Sequence, residues 1–307
     1  MRTYSAAETA KLLPYPELAE ALAGVLRRMA RGELTAPARI HSPLPGGGVL
    51  LVMPAADEAV AVTKLVTVHP GNPARGLPLI QGEMVVMDAA SGERLGILDG
   101  PTVTSRRTAA LSLLAAQTLA PHEEGPLLVV GAGVQARAHL EAFAHGLGIH
   151  RVFCCARSEQ SAVALAEFAR TLGIEATVAT SAAAVLRDCS LVVTATTSNT
   201  PVLSEDVTPG TFIAAVGAFT PQAAEIPARL VRACRVVVDT VDTRHEAGDL
   251  IQADVDWDGV LLLGDVLNAG LGSDGPAQGQ TGNRPVLFKS VGHALFDLAA
   301  GRLALGR

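Results

Sequence analysis

Val129-Val130-Gly131-Ala132-Gly133-Val134-Gln135-Ala136 decides how this chain is read. The stretch fits G-x-G-x-x-G/A, placed after an apolar strand and at the opening of a helix, as a dinucleotide-binding turn requires. Gly131 permits the tight turn, Gly133 lets the backbone approach a pyrophosphate, and Ala136 keeps the helix close to the sheet. The helix start at Val134 and Gln135 offers free N–H groups and the positive end of the dipole to phosphates. Alone, such a motif also fits a Gly-rich turn that binds nothing, so the flanking sequence has to decide.

Working outward, Leu127–Val130 reads as the strand before the turn and a helix runs on to about Leu147. Strands at 152–155, 175–178, 191–194, 212–216 and 236–239 follow, with a helix over 159–172. Strand and helix in alternation predict a parallel, doubly wound sheet of the Rossmann type over residues 121–282. Cofactor choice is read at the end of its second strand, where an acid would hold the ribose of NAD. The chain has Cys155-Ala156-Arg157-Ser158 there, with Glu159 only inside the helix. Arg157 can stack on adenine and pair with a 2′-phosphate, and Ser158 can donate to the same phosphate. The same two residues also suit an ordinary solvated helix start with Ser158 as its cap. NADPH is the favoured cofactor, with NADH possible.

Before residue 121 the pattern differs. Pro14 and Pro16 mark the entry to a helix over 15–31. Short turn-bounded segments at 49–53, 60–68, 83–88 and 94–99 suggest a mostly antiparallel sheet, and 102–119 reads as one long helix. The end of the chain, 286–305, reads as helical and is expected to return to this first domain. The predicted organisation is therefore 1–120 plus 283–307 around an inserted 121–282. The stretch 270–284, dense in Gly, Ser, Gln and Asn, reads as a loop, either near a cleft or as a plain surface linker.

Composition agrees. A chain of 307 residues with 49% hydrophobic content suits two domains. Aromatics are only 3%, so the cores are built from Ala, Val and Leu, which suits helices on buried parallel strands. A net charge of -6 without any basic run argues against a nucleic-acid partner. Cys154, Cys155, Cys189 and Cys234 form no Cys-x-x-Cys pair and have no His at ligand spacing, so no metal is expected. They read as small buried hydrophobes of a reducing compartment. Without a signal-peptide core or an apolar run of the ~20 residues that span a bilayer, the expectation is a cytoplasmic protein with no membrane partner.

Two cations stand out. Lys64 interrupts an apolar strand and Arg107 sits near the start of a mostly apolar helix. Buried charges need partners. Structural salt bridges, for instance with Glu83 or Asp99, and an anionic ligand are both open readings.

The chain resembles the ornithine cyclodeaminase/mu-crystallin family along nearly its whole length. The resemblance is carried by Lys64-Leu65-Val66-Thr67-Val68-His69-Pro70-Gly71-Asn72, Gly82-Glu83-Met84-Val85-Val86-Met87-Asp88 and Leu98-Asp99-Gly100. Thr104-Ser105-Arg106-Arg107-Thr108-Ala109-Ala110, the Gly131 turn, Thr194-Ala195-Thr196-Thr197, Val216-Gly217 and Ser290-Val291-Gly292 complete it. It implies a homodimer built through the non-Rossmann domain, so the full expectation is an α/β chain. In it a Rossmann-type sheet is inserted in an α+β substrate-binding and dimerisation domain. It also implies that Arg39, Lys64 and Arg107 hold a substrate carboxylate. Thr194, Thr196 and Val216 would then line the dinucleotide site, with Ser290 and Gly292 near the nicotinamide.

One departure matters. Family cyclodeaminases and the related alanine dehydrogenase carry an Asp shortly after the Val-Gly pair, whereas this chain has Val216-Gly217-Ala218-Phe219. Phe219 takes no proton, but it can pack against an apolar ring. The pattern is similar to the branch that reduces the cyclic ketimines Δ1-pyrroline-2-carboxylate and Δ1-piperideine-2-carboxylate to proline and pipecolate. Lys64 would serve there as anchor, as acid, or as both. The alternatives are a cyclodeaminase or alanine-type dehydrogenase, with Glu225 nearest to replace the missing acid, and a non-catalytic NADPH-dependent binding protein.

Overall fold

The computed structural model describes residues 1–269 and 284–307. The expected loop at 270–284, Arg284 apart, lies outside the described residues. Two compact units form, Met1–Arg107 with His293–Arg307, and Thr108–Gly292. The chain thus enters the inserted unit within a helix and leaves it at Gly292, where the sequence suggested boundaries at 120 and 283.

In the first unit, β1 (Arg2–Thr3), α1 (Ala6–Leu12) and α2 (Tyr15–Ala30) precede β2 (Ile40–Leu44), β3 (Gly48–Ala56), β4 (Val60–Val68), β5 (Ile80–Asp88) and β6 (Arg94–Asp99). The sheet order is β1-β6-β5-β4-β3-β2. All pairs are antiparallel except β1 with β6. Strand alternation sorts the faces. On β4, Val60, Val62, Lys64 and Val66 are buried, while Leu65 on the opposite face is exposed. The apolar stripe of α2, with Leu18, Leu22, Val25 and Leu26, is buried in this unit. Helix α3 (Gly100–Leu119) starts two residues earlier than expected, and Asp99 Oδ1 accepts a hydrogen bond from Thr102 N–H at 2.8 Å to close its first turn.

The second unit contains β7 (Leu127–Val130), α4 (Val134–Leu147), β8 (Arg151–Cys155), α5 (Glu159–Thr171), β9 (Glu175–Val178), β10 (Leu191–Thr194) and β11 (Phe212–Ala215). It continues with α6 (Ala228–Ala233), β12 (Arg235–Val238), α7 (Thr243–Glu246), α8 (Gly248–Gln252), β13 (Leu261–Leu262), α9 (Leu263–Ala269) and β14 (Val286–Lys289). The strands form one parallel sheet in the order β13-β12-β14-β11-β10-β7-β8-β9. β7, β10, β11 and β14 are buried at every position, as strands covered on both faces must be. The order reverses between β7 and β10, the switch point where open α/β sheets bind ligands. Within this unit His139 on α4 is fully buried, with Nδ1 2.7 Å from Gln135 O and Nε2 2.9 Å from Ser112 Oγ. The carbonyl can only accept, so Nδ1 carries the proton and Nε2 accepts from the serine.

The end of the chain corrects one expectation. Residues 286–305 are not one helix. Val286–Lys289 is a strand wedged between β11 and β12, and only α10 (Ala294–Leu305) belongs to the first unit. Gly292, between the strand and the helix, adopts φ +82, a backbone that no right-handed helix tolerates, and His293 Nδ1 then caps α10. No helix among the described residues is long and apolar enough to cross a membrane.

Candidate active site

The Gly131 turn follows β7 as expected. Gly131 adopts φ +115, and a Cβ there would collide with the carbonyl oxygen of Ala195. A Cβ on Gly133 would meet nothing, and no side chain caps α4 at that residue. The first-turn N–H groups, at exposed Val134 and at Gln135, are therefore left for a ligand. Ala136 is fully buried, so α4 lies close on the sheet. A cavity of about 760 Å³ opens here, lined by Gly131, Gly133, Arg157, Ser158, Thr196 and others. A larger one of about 860 Å³ involves Pro126, Ser190 and Thr211 before β7, β10 and β11, at the edge opposite the switch point. The first cavity, with a glycine cradle and an uncapped helix start, fits a dinucleotide. Arg157 and Ser158 are exposed at its rim, and Ser158 Oγ caps α5 by accepting from Ser161 N–H at 3.3 Å.

Three buried carboxylates, none of them expected as structural pins, shape the loops at the carboxyl ends of these strands. Glu225 Oε1 accepts from Thr196 N–H (2.7 Å), and its Oε2 accepts from Gly217 N–H (2.7 Å), Ala218 N–H (3.2 Å) and the Thr194 hydroxyl (3.1 Å). Glu225 and Thr194 are fully buried, so Thr194 shapes the loop through Glu225. The neighbouring Val216 N–H donates to Thr194 O at 3.0 Å. Glu225 already receives four donors and is not available to replace the acid missing at Phe219. Asp239 Oδ2 accepts from the Ser290 hydroxyl (2.7 Å), Val291 N–H (3.1 Å) and Gly292 N–H (3.0 Å). Asp249 Oδ1 accepts from the N–H groups of Glu225 (2.6 Å) and Ile226 (2.9 Å), while its Oδ2 lies 2.7 Å from Lys289 Nζ. Phe219, next to this network, is 54% exposed, an unusual position for a large apolar ring.

The first unit holds the cations. Lys64 stands in a cross-strand row with Met53, Met84 and Leu98, all buried. Glu83 and Asp99 belong to the adjacent row with Leu65, one residue out of step and therefore on the opposite face. The partner is instead Asp297 on α10. Lys64 Nζ donates to Asp297 Oδ1 at 2.9 Å and lies 2.8 Å from Oδ2. Arg107 Nε is 3.4 Å from the same Oδ1 and has no hydrogen-bond acceptor of its own. Exposure is 1% for Lys64, 6% for Arg107 and 0% for Asp297. Two buried cations thus share one buried anion, and half-buried Arg39 adds further positive charge. Burial pulls Lys64 down to about 8, Arg107 and Arg39 push the same way, and Asp297 opposes them. A buried excess of positive charge is costly unless an anion completes it. Asp297 left a trace in the sequence, as the only acid in the otherwise apolar stretch Ala294-Leu295-Phe296-Asp297-Leu298-Ala299-Ala300.

Known proteins resemble this chain along its length. The model of the ornithine cyclodeaminase/mu-crystallin family matches residues 1–305. A Delta(1)-pyrroline-2-carboxylate/Delta(1)-piperideine-2-carboxylate reductase of Azospirillum brasilense is 44% identical over 302 residues, 98% of this chain and 94% of the relative. The Thermococcus litoralis Delta(1)-pyrroline-2-carboxylate reductase, solved with NADH and L-proline, superposes with a TM-score of 0.90 at 26% identity, covering 100% of this chain and 97% of the other. An archaeal alanine dehydrogenase dimer with bound NAD gives 0.86 at 27% identity, covering 99% and 94%.

Proposed function

The chain belongs to the ornithine cyclodeaminase/mu-crystallin family, and on that premise we propose that it reduces Δ1-pyrroline-2-carboxylate and Δ1-piperideine-2-carboxylate to L-proline and L-pipecolate. It is an oxidoreductase acting on the C=N bond of cyclic imines. A reduced nicotinamide, when bound, supplies the hydride. The observation that carries the reading is the buried excess of positive charge around Asp297. Arg39, Lys64 and Arg107 hold the substrate carboxylate, Arg107 offering a fork that matches two oxygens. Lys64 donates a proton to the imine nitrogen, because a protonated C=N accepts hydride far better than a neutral one. Phe219 packs against the apolar part of the ring and keeps an ionisable group away from it.

The dinucleotide lies along the Gly131–Gly133 turn, with Val134, Gln135 and Ala136 at the helix start. Thr196 and Val216 flank it, and the Ser290–Gly292 turn is held for it by Asp239. Arg157 and Ser158 favour the 2′-phosphate of NADPH, and NADH is a weaker donor. The enzyme is a cytoplasmic homodimer. The outer face of the first unit's sheet supports the dimer, since Ile40 is 57% and Leu65 39% exposed beside half-buried Val52 and Val85. The test mixes protein, reduced cofactor and either ketimine and follows the absorbance of the reduced cofactor. Oxidation with both imines, faster with NADPH than with NADH, is expected. Ammonia release from ornithine without imine reduction overturns the reading.

A further inference from the structure

We infer that Asp297 is the positioning residue that holds Lys64 as the proton donor of imine reduction. This rests on the proposed role of Lys64 in the substrate site.

A receptor built only to hold a carboxylate gains nothing from a buried acid at its centre, because that acid repels the substrate. Asp297 nevertheless sits there, fully buried, in the first turn of a helix whose first three turns are buried almost throughout. Lys64 Nζ donates to Asp297 Oδ1 at 2.9 Å and lies 2.8 Å from Oδ2, so the ammonium is fixed against one carboxylate while a single N–H is taken up by it and others can point elsewhere. The groups that face Lys64 are Asp297 from α10, Arg107 from α3 and Arg39 from the segment before β2. Its neighbours across the sheet are Met53 and Met84, which carry no charge. Without Asp297, a buried amine flanked by two guanidinium groups loses its proton. The carboxylate therefore trades some substrate affinity for a charged, aimed lysine.

In the step itself the Lys64 proton goes to the ring nitrogen as hydride from the reduced nicotinamide reaches the imine carbon. The nitrogen lone pair becomes the new N–H bond, the C=N π pair becomes the lone pair of the product amine, and the imino acid is reduced by the two electrons of the hydride that the nicotinamide gives up. Lys64 is left neutral beside Asp297 and regains its proton from water once the product leaves.

The test is the pH profile of kcat/KM for Δ1-piperideine-2-carboxylate with Asp297→Asn. The wild-type profile is expected to fall through a basic limb near 8. In the variant the limb moves down by about one pH unit or more and kcat drops roughly tenfold or more, while KM for the imino acid stays equal or falls. A structural role alone raises KM, lowers kcat and leaves the limb in place; that outcome, in a variant with unchanged NADPH affinity, overturns the inference. Asp297→Glu keeps the charge but displaces it by one methylene, so it retains the limb with a lower kcat. Should Asp297→Asn not fold, a shifted limb in Asp297→Glu is the overturning result. Lys64→Met separates the premise: an unchanged KM for the imino acid there removes Lys64 from the substrate site, whatever Asp297 does.

Discussion

Two lysines are buried in β-strands of this molecule, and their surroundings differ in kind. Lys289 on β14 faces Asp249, whose other oxygen is taken up by the N–H groups of Glu225 and Ile226. One cation meets one anion at 2.7 Å, and the carboxylate's other oxygen has two N–H donors. Lys64 on β4 faces Asp297, but Arg107 leans on the same carboxylate and Arg39 adds to the field. The first is a one-to-one pair, whereas in the second two buried cations share one carboxylate among the described residues. A buried lysine alone therefore says little; the local balance of charge distinguishes the two, and it is the balance around Lys64 that supports the proposed carboxylate site.

The largest effect that can break this contrast is on stability. Lys289→Met strands Asp249 in the core and is expected to cost about 3–5 kcal/mol in urea unfolding. Lys64→Met removes one of the two cations that share Asp297 and leaves Arg107 beside the carboxylate, so its cost is expected to be smaller, about 1 kcal/mol, while turnover collapses. Equal destabilisation by the two substitutions means the contrast is wrong.

His139 extends the argument to a buried group kept neutral. Burial holds it at about 4, against an ordinary 6.5, with the Gln135 carbonyl opposing. The unfolded chain takes up this proton near 6.5 and the native chain only near 4. The contribution is thus intact above 6.5 and is lost as pH falls toward 4, about 3 kcal/mol at the limit. Unfolding of the wild type and His139→Gln at pH 7 and pH 4.5 checks this, and the variant should show a shallower fall over that range.

The smallest effect concerns one arm of the receptor. Arg107→Ala is expected to raise KM for the imino acid by roughly 10- to 100-fold, the loss of a charged hydrogen bond, with NADPH affinity nearly unchanged. Equal loss of both would reassign Arg107 to the framework.

Much of this was legible before any coordinates. The Gly131 turn announced the parallel sheet because its glycines serve one backbone geometry, and Lys64 announced a partner because it broke an apolar alternation. Other features escaped for physical reasons. Asp297 lies 233 residues from Lys64, and an acid in a first helical turn also has an innocent explanation in the dipole. Val286–Lys289 was absorbed into the following helix because a short apolar run has no period of its own. Glu83 and Asp99 were plausible partners by nearness in sequence, and only the register of β4, β5 and β6 places them on the wrong face. Glu225 looked like a spare acid, since four donors from two separate loops cannot be read from its neighbours in the chain.

The wedge formed by β14 bears on biogenesis. β11 and β12 never pair with each other; each is hydrogen-bonded to a strand that the ribosome delivers after both. At roughly 5–20 residues per second, two apolar strand edges wait some seconds for the segment that joins them. Unpaired edges of this sort recruit foreign strands. A nascent chain stalled before Val286 thus presents both edges as open templates until β14 arrives.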